Sequence, residues 1–183
     1  MTDSDASLVV RVVADDDRSA FELLVRRHQS KLRNFLRRLT GNDAARADDL
    51  AQETFLKAYR SIRTYRGTAA FSSWLYRIAY NTFLNDERSR FPEAPLENSD
   101  PPPANYEFEN AGMEMDIEGA LQHLSIRQKA IFDLHYKKGM THEEIGDALE
   151  IPLGTVKSDL RRGLDRLRQY LKDWKQNGHG LDR

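Results

Sequence analysis

One proline-rich segment, residues 91–112 (FPEAPLENSDPPPANYEFENAG), constrains the fold of this chain more than any other feature. It holds five of the six prolines in the 183-residue sequence. Proline gives no N–H to a helix and the residue before it avoids the helical conformation, so no continuous helix can cross the segment. A structureless loop of this length inside one compact domain is uncommon. The sequence therefore predicts two domains, residues 1–90 and 115–183, joined by a flexible linker at residues 91–114.

The linker is also acidic. Residues 91–126 contain eight acidic residues and no lysine or arginine, whereas the whole chain has a net charge of −1. Repulsion between like charges favours an extended linker. The near-neutral total conceals two basic regions that are separated by an acidic one.

Composition excludes several classes of protein. The chain has no cysteine, which excludes disulfides, thiolate metal sites and thiol redox switches. No apolar run approaches the roughly 20 residues needed to span a bilayer. The acidic N-terminus MTDSDASLVV lacks the basic-then-apolar order of a signal peptide. We therefore expect a cytoplasmic protein with no membrane insertion.

Helical periodicity dominates the first domain. One apolar stripe ends before Gly41-Asn42, a second follows the acidic pair Asp48-Asp49, which suits a helix N-terminus, and a third helix is predicted over residues 72–88. The stripe residues in the first two helices are Phe21, Leu24, Val25, Leu32, Phe35, Leu36 and Leu39, then Leu50, Phe55, Leu56, Tyr59 and Ile62. No run in the sequence combines period-two alternation with turn signals, so we predict an all-α fold.

The second domain has the pattern of a helix-turn-helix. Helices are predicted near residues 115–123, 126–137, 142–149 and 156–175. Thr141 and Glu144 form a capping box, and Gly146 is small where a second helix would cross closely. The turn EIPLG follows, and Thr155 is predicted to cap the last helix. Two short helices around a tight turn, the second of them basic, are typical of DNA-binding domains.

The last helix separates an apolar face from a basic one. At about 100° per residue, its core face consists of Val156, Leu160, Leu164, Leu167 and Leu171. Residues 155–175 contain seven cations and three acids, a net charge of +4. The predicted DNA-binding residues are Thr155 and Lys157 at phosphates, Ser158, Arg161 and Arg162 at bases, and Arg166 on the same helix. The alternative is an amphipathic surface helix with a solvated charged face.

A polar row accompanies the aromatic helix of the first domain. Arg77, Asn81, Asn85 and Arg88 follow helical spacing along SSWLYRIAYNTFLNDER, beside Trp74 and Tyr80. Amides between arginines, next to aromatic rings, suit hydrogen bonding and stacking with unpaired bases. The alternative for the two aromatic residues is that they belong to the core, which is the commoner place for tryptophan.

Three stretches, in this order, carry a family resemblance: ADDLAQETFLKAYRSI, TYRGTAAFSSWLYRIAYNTFLND and MTHEEIGDALEIPLGTVKSDLRRGLDRLR. Together they closely resemble the two domains of bacterial RNA polymerase sigma factors of the extracytoplasmic-function (ECF) group. The resemblance covers nearly the whole chain apart from the linker and the termini. It implies a first domain that binds core RNA polymerase and opens the minus-ten element of promoter DNA. The second domain would then bind the minus-thirty-five element.

The resemblance also assigns residues and partners. It places polymerase contacts at Asp48, Asp49, Leu50, Gln52, Glu53 and Phe55. It places the pocket for a flipped promoter base at Arg66, Gly67, Thr68, Ala69, Phe71 and Ser72, next to the polar row. It further implies an anti-sigma factor that clamps both domains.

Two residues depart from the family pattern, and two other functions compete. Glu150 occupies a turn position where the family often has glycine, and Asp159 stands where arginine is frequent, off the groove face but able to weaken a phosphate contact. The first alternative function is a stand-alone helix-turn-helix transcriptional regulator. An enzyme is more distant, because no nucleophile–base pair, glycine-rich phosphate loop or metal-spaced cluster is visible in the sequence. We therefore predict a protein that is not an enzyme and needs no cofactor or metal.

Overall fold

The computed structural model describes residues 3–92 and 119–176, with side chains as far as residue 172. The first part contains α1 (Asp5–Asp15), α2 (Arg18–Leu39), α3 (Ala44–Ser61) and α4 (Phe71–Arg90). The second part contains α5 (Ile126–Phe132), which continues as a π turn (Asp133–Lys137), then α6 (His142–Leu149) and α7 (Leu153–Gln176). Residues 3–92 and 119–176 contain no strand, which confirms the all-α prediction. Most of the predicted linker, from residue 93, and the start of the helix predicted near residues 115–123 lie outside these ranges.

The first domain starts with a helix that sequence patterns did not predict. Ser4 caps α1 by accepting a hydrogen bond from the N–H of Ser7, and Leu8, Val9 and Val12 are buried. Helix α2 ends before Gly41 and Asn42, as the sequence predicts. Both of these residues have positive φ.

Helix α3 differs from its prediction in both start and orientation. It begins at Ala44, capped by Asp43, so Asp48 and Asp49 lie inside the helix rather than at its N-terminus. The residues that face the core are Ala47, Leu50, Ala51, Thr54 and Ala58. The predicted core residue Leu56 is instead 52% exposed. Small alanines let α3 pack closely on its neighbours, and the larger apolar side chains then project outward.

The second domain forms the predicted helix-turn-helix. Thr141 and Glu144 make the capping box of α6, and Glu150 ends that helix in the left-handed conformation, with φ of 57°. Helix α7 begins at Leu153. The carbonyl of Pro152 accepts hydrogen bonds from the N–H groups of Thr155 (2.8 Å) and Val156 (3.2 Å). The prediction that Thr155 caps this helix is therefore wrong.

Two glycines allow close packing around the turn. A Cβ at Gly146 would lie 3.1 Å from the carbonyl oxygen of Ile151, so the turn, rather than a crossing helix, limits the space there. A Cβ at Gly163 would lie 2.5 Å from Cε2 of Phe132. This glycine lets α7 approach α5 closely.

The two domains contact each other in addition to being joined by the chain. Helix α4 packs against α6, and α2 packs against α5. Between α2 and the π turn, Arg38 forms an ion pair with the buried Asp133 at 2.5 Å. In the described part of the chain, no helix is both long and apolar enough to cross a membrane.

Candidate functional site

A groove runs between α2 and α3 on the outer side of the first domain. Its volume is about 580 Å³. Aromatic and aliphatic side chains form its floor, and Phe21 and Tyr59 meet edge to face with ring centroids 4.9 Å apart. Leu56 and Phe55 also line the groove. These residues do not belong to the core face of α3. They form an apolar surface that a partner can contact.

Acidic side chains form one rim of this groove. Asp48, Asp49 and Gln52 all line it and are exposed. Because Asp43 caps the helix, the two aspartates are not engaged in capping. Asp48 forms only an exposed ion pair with Arg33, at 3.1 Å, which a partner's cation can replace at small cost.

Two of the predicted polymerase contacts lie outside the groove lining: Leu50, which is buried in the core, and Glu53. Its carboxylate pairs with Lys57 at 2.7 Å. Lys57 in turn donates a hydrogen bond to the hydroxyl of Thr82 on α4, at 3.3 Å. Glu53 therefore lies on the side of α3 that faces α4.

A second cavity, of about 480 Å³, lies beside the loop that precedes α4. Of the residues predicted for the base pocket, Arg66, Thr68 and Ala69 line it, together with Trp74 and Arg77. The predicted residues outside the lining are Gly67 at a positive φ of 71°, the buried Phe71 and the half-buried Ser72.

Tyr65 shapes this loop, although no pattern in the sequence singled it out. Its hydroxyl donates a hydrogen bond to the carbonyl of Ala69 at 2.6 Å, and its ring packs against Phe71 and Trp74. Burial raises the pKa of Tyr65, so the hydroxyl remains a neutral donor. The aromatic cluster of Tyr65, Phe71 and Trp74 holds the loop on one side. The polar loop residues line the cavity on the other.

The polar row lies on the surface of α4. Asn81, Asn85 and Arg88 are exposed, and Arg77 is partly exposed. Tyr80, predicted to stack on bases, is only 2% exposed and belongs to the core in this conformation.

Arg46 connects the end of this helix to α3. Its Nε donates to Asp86 at 2.8 Å, and the same guanidinium pairs with Glu87 and lies over the ring of Phe83. Charge-assisted hydrogen bonds of this kind fix geometry as well as adding stability. The position of the polar row relative to the groove is therefore set by contacts between α3 and α4.

Helix α7 presents the predicted basic face. Lys157, Arg161 and Arg162 are exposed, and Thr155 and Ser158 are half-buried in its first turns. Arg166 is half-buried and donates to the side-chain oxygen of Gln128 at 3.2 Å. Arg166 therefore contacts α5 in addition to lying on the surface of its own helix.

Asp159 is a structural residue. Its carboxylate is 4% exposed and pairs with Arg127 of α5 at 2.6 Å and with Arg162 at 2.5 Å. It is buried against α5 and orients the side chain of Arg162. Among the three acids of this helix, the sequence singled out Asp159 only as a departure from the family pattern, and Arg127 had no signal of its own.

A helix-turn-helix with an exposed basic second helix, attached to another helical domain with its own polar face, defines a two-domain DNA-binding protein. The sequence matches Sigma-70 region 2 over residues 24–90 and Sigma-70 region 4 over residues 120–169. It is 34% identical to the RNA polymerase sigma-H factor of Pseudomonas aeruginosa, covering 93% of this chain and 95% of that protein. It is 33% identical to the ECF RNA polymerase sigma-E factor of Haemophilus influenzae, covering 92% and 96%. The chain belongs to the ECF RNA polymerase sigma factors.

Solved structures agree with this assignment. The sigma factor RpoE of Bartonella quintana, in complex with the anti-sigma factor NepR, matches with a TM-score of 0.67 and 26% identity. That alignment covers 89% of this chain and 98% of RpoE. CnrH, in complex with the cytosolic domain of CnrY, has the same fold with a TM-score of 0.68 at 20% identity, covering 93% and 99%.

Proposed function

We propose that this protein binds core RNA polymerase, directs it to specific promoters and nucleates strand opening. One observation supports the proposal: a single chain of this family combines three surfaces. They are an apolar groove with an acidic rim, a polar row beside a cavity, and a basic helix-turn-helix. Transcription takes place on the chromosome, so we place its action in the cytoplasm. We propose no enzymatic activity and no cofactor. We also retain the proposed domain limits of residues 1–90 and 115–183.

The groove between α2 and α3 is the proposed polymerase contact. A partner helix with apolar and basic side chains fits an apolar floor formed by Phe55 and Leu56 and a rim that carries Asp48 and Asp49. The apolar floor supplies binding energy through burial, whereas the carboxylates set register and association rate. Gln52 adds a hydrogen-bonding side chain to the same rim.

The proposed minus-ten site combines the cavity beside the loop with the polar row. Extruding one base costs a few kcal/mol of stacking and pairing, which a pocket with hydrogen-bond partners repays. Arg66 and Thr68 line the cavity, and Asn81 and Asn85 extend the polar surface along α4. Arginines at both ends of the row, Arg77 and Arg88, suit the phosphates of the melted strand.

The basic face of α7 is the proposed minus-thirty-five site. Lys157, in the second turn of α7, suits a phosphate, whereas Arg161 and Arg162 lie one turn further along and suit base edges. Because Asp159 holds Arg162 at 2.5 Å, the arginine is positioned before DNA binds.

An anti-sigma factor is the further partner that we propose. RpoE of Bartonella quintana, which this chain resembles in fold and at 26% identity, was solved with the anti-sigma factor NepR. A protein that covers the groove would block polymerase binding directly.

The test is transcription in vitro with core RNA polymerase and a library of promoter sequences. We expect the protein to make transcription depend on a defined minus-ten and minus-thirty-five sequence. Binding to core polymerase is measured in parallel for Leu56→Asp, with Leu23→Asp as the matched control, since Leu23 is 43% exposed but lies outside the groove lining. A stand-alone regulator would bind its DNA site tightly without polymerase and would leave promoter selection unchanged. That result would refute the proposal.

A further inference from the structure

A third cavity lies where α5 and its π turn meet α2 and α7. Its volume is about 190 Å³. Arg38 of α2 forms one wall, and the other lining residues belong to the second domain. None of the residues proposed above to contact polymerase or DNA lines this cavity. It is therefore a separate feature of the molecule that the proposed function leaves unexplained.

The floor and walls of this cavity are mainly apolar. Leu121 and Leu167 line it, together with Phe132, which is only 7% exposed. The ring of Tyr136 lies beside that of Phe132, with centroids 5.4 Å apart, and is itself exposed at the mouth. An apolar cavity of about 150 Å³ accepts one benzene ring. The volume here therefore suits one aromatic ring that carries a small substituent.

The polar part of the lining is strongly basic. It consists of three cations, Arg38, Lys129 and Lys137, and one carboxylate, that of Asp133. The carboxylate is 1% exposed and already pairs with Arg38 at 2.5 Å and with Lys138 at 3.7 Å. Within the described parts of the chain, Lys129 and Lys137 form no ion pair. The cavity therefore favours an anionic occupant.

Lys129 carries the clearest signal for such an anion. Its Nζ donates a hydrogen bond to the side-chain oxygen of Gln122 at 3.1 Å, which is a neutral acceptor. Burial lowers the pKa of Lys129, because the ammonium has lost water and has gained no counter-charge. Ammonium groups removed from water are normally paired with an anion. A carboxylate on a bound molecule would supply the missing charge.

The backbone at this cavity has an unusual conformation. The π turn Asp133–Lys137 interrupts α-helical geometry after Phe132. It supplies Asp133, Tyr136 and Lys137 to the lining. Single π turns within helices are rare and occur frequently at functional sites. The local departure from α-helical geometry thus coincides with the cavity and is consistent with a binding role.

We propose that this cavity binds a small aromatic carboxylate of about the size of benzoate. Its ring packs against Phe132, Leu121 and Leu167, and its carboxylate accepts a hydrogen bond from Nζ of Lys129. The inference goes beyond the function proposed above, since it requires neither polymerase nor DNA. Because Arg38 belongs to the first domain and the other walls to the second, an occupied cavity favours the conformation in which the two domains are in contact.

The experiment titrates the full chain with 4-fluorobenzoate and follows the ligand by fluorine NMR. We expect a Kd of about 1 mM or tighter, which is ordinary for a ligand of this size. A second titration uses 4-fluorobenzamide, which has the same ring and nearly the same shape but no charge. The amide should bind at least about fivefold more weakly, because a hydrogen bond between two charged groups is stronger than one to a neutral acceptor.

Two variants test the position of the ligand. Lys129→Met keeps the length of the side chain and removes its charge, so it should bind 4-fluorobenzoate at least about tenfold more weakly. It should keep its fold, because it removes a cation that is costly to bury. Leu167→Trp fills the cavity and should abolish binding of both compounds. The matched controls are Lys172→Met and Leu171→Trp, exposed residues of α7 outside the lining, which should bind as the wild type does.

Circular dichroism and thermal melting verify that every variant is folded. The inference is overturned if the wild type does not bind 4-fluorobenzoate at concentrations up to about 10 mM. It is also overturned if folded Lys129→Met or Leu167→Trp binds as tightly as the wild type, since the anion then occupies another basic surface. Failure of the proposed function is distinguishable, because it appears in transcription and polymerase binding, and neither polymerase nor promoter is present in these titrations.

Discussion

The ion pairs of Asp159 and Asp165 allow a stringent test of the helix-turn-helix architecture. Both aspartates lie on α7 and both pair with an arginine three residues later. The carboxylate of Asp159 is 4% exposed and also pairs with Arg127, whose side chain is 13% exposed. The Asp165–Arg168 pair is exposed on both sides, at 63% and 69%. The two positions therefore share helix, residue type and spacing but differ in burial.

Replacement of Asp159 by asparagine should strongly destabilise the second domain. The change leaves Arg127 largely buried without an anion, and breaking a buried pair in this way costs about 3–5 kcal/mol. Because Arg162 is half in water and loses little, we expect the lower end, about 3 kcal/mol. Asp165→Asn should change stability by no more than about 0.5 kcal/mol. Asp159→Arg should be worse than Asp159→Asn, since it sets a third cation beside Arg127 and Arg162.

The measurement is amide hydrogen exchange, resolved by mass spectrometry into peptides from α5, α7 and the first domain. A loss of about 3 kcal/mol raises the exchange rate of globally protected amides by a factor of about 150. This increase should appear in α5 and α7 but not in the first domain for Asp159→Asn, and it should be absent in Asp165→Asn. Equal protection in the two variants would refute the structural role of Asp159, and faster exchange spread evenly over both domains would refute its assignment to the second domain.

Four further predictions address the proposed surfaces and the stability of α2. Leu56→Asp should weaken binding to core polymerase at least about tenfold in a titration, because about 1.4 kcal/mol of apolar burial is lost. Asn81→Ala should leave the closed complex intact and reduce the open complex, measured by permanganate reactivity of unpaired thymines. Arg162→Ala should relax specificity within the minus-thirty-five element by about 1–3 kcal/mol, whereas Lys157→Ala should weaken binding to every duplex equally and reduce the salt dependence by about one phosphate contact. Hydrogen bonds from a serine hydroxyl, an arginine and a backbone N–H lower the pKa of Asp17 to about 2. The contribution of this carboxylate to stability is therefore complete above pH of about 4 and is lost as pH falls towards 2. Asp17→Asn should remove this pH dependence of the thermal stability over that range.

Local signals predicted the helices well where caps and large apolar residues agreed. The capping box at Thr141 and Glu144 predicted the start of α6, and the turn EIPLG predicted its end, where Glu150 takes up the left-handed conformation. Helix α1 had Leu8 and Val12 at helical spacing, yet it was missed because it is only 11 residues long and stands beside an acidic terminus.

The orientation of α3 shows where apolar periodicity misleads. Large apolar residues at helical spacing predict a buried face with Phe55 and Leu56, whereas the buried face consists mainly of alanines such as Ala51 and Ala58. Small side chains mark the face where helices approach closely, and large ones are free to form a surface for a partner. A contiguous group of large apolar residues outside the core is thus itself a functional signal on such a helix.

The contacts between the two domains could not be predicted from the sequence. Asn81 and Glu150 are 69 positions apart, and Arg38 and Asp133 are 95 apart, on opposite sides of the acidic segment. Their pairing depends on how two folded surfaces fit, and no periodicity or motif in either domain encodes that fit.

The net charge of the chain does not predict its DNA binding, because salt screens charges over a short distance. At physiological ionic strength charges are screened over about 8 Å, so a phosphate beside α7 responds to nearby cations such as Lys157 and Arg161 rather than to the total of −1. When salt is lowered tenfold or more, the screening length approaches about 30 Å, and the eight acids of residues 91–126 then oppose the approach of DNA. Lowering salt strengthens the phosphate contacts and also extends this repulsion. The salt dependence of DNA binding by the full chain should therefore flatten at low salt, where a uniformly basic protein would continue to gain affinity.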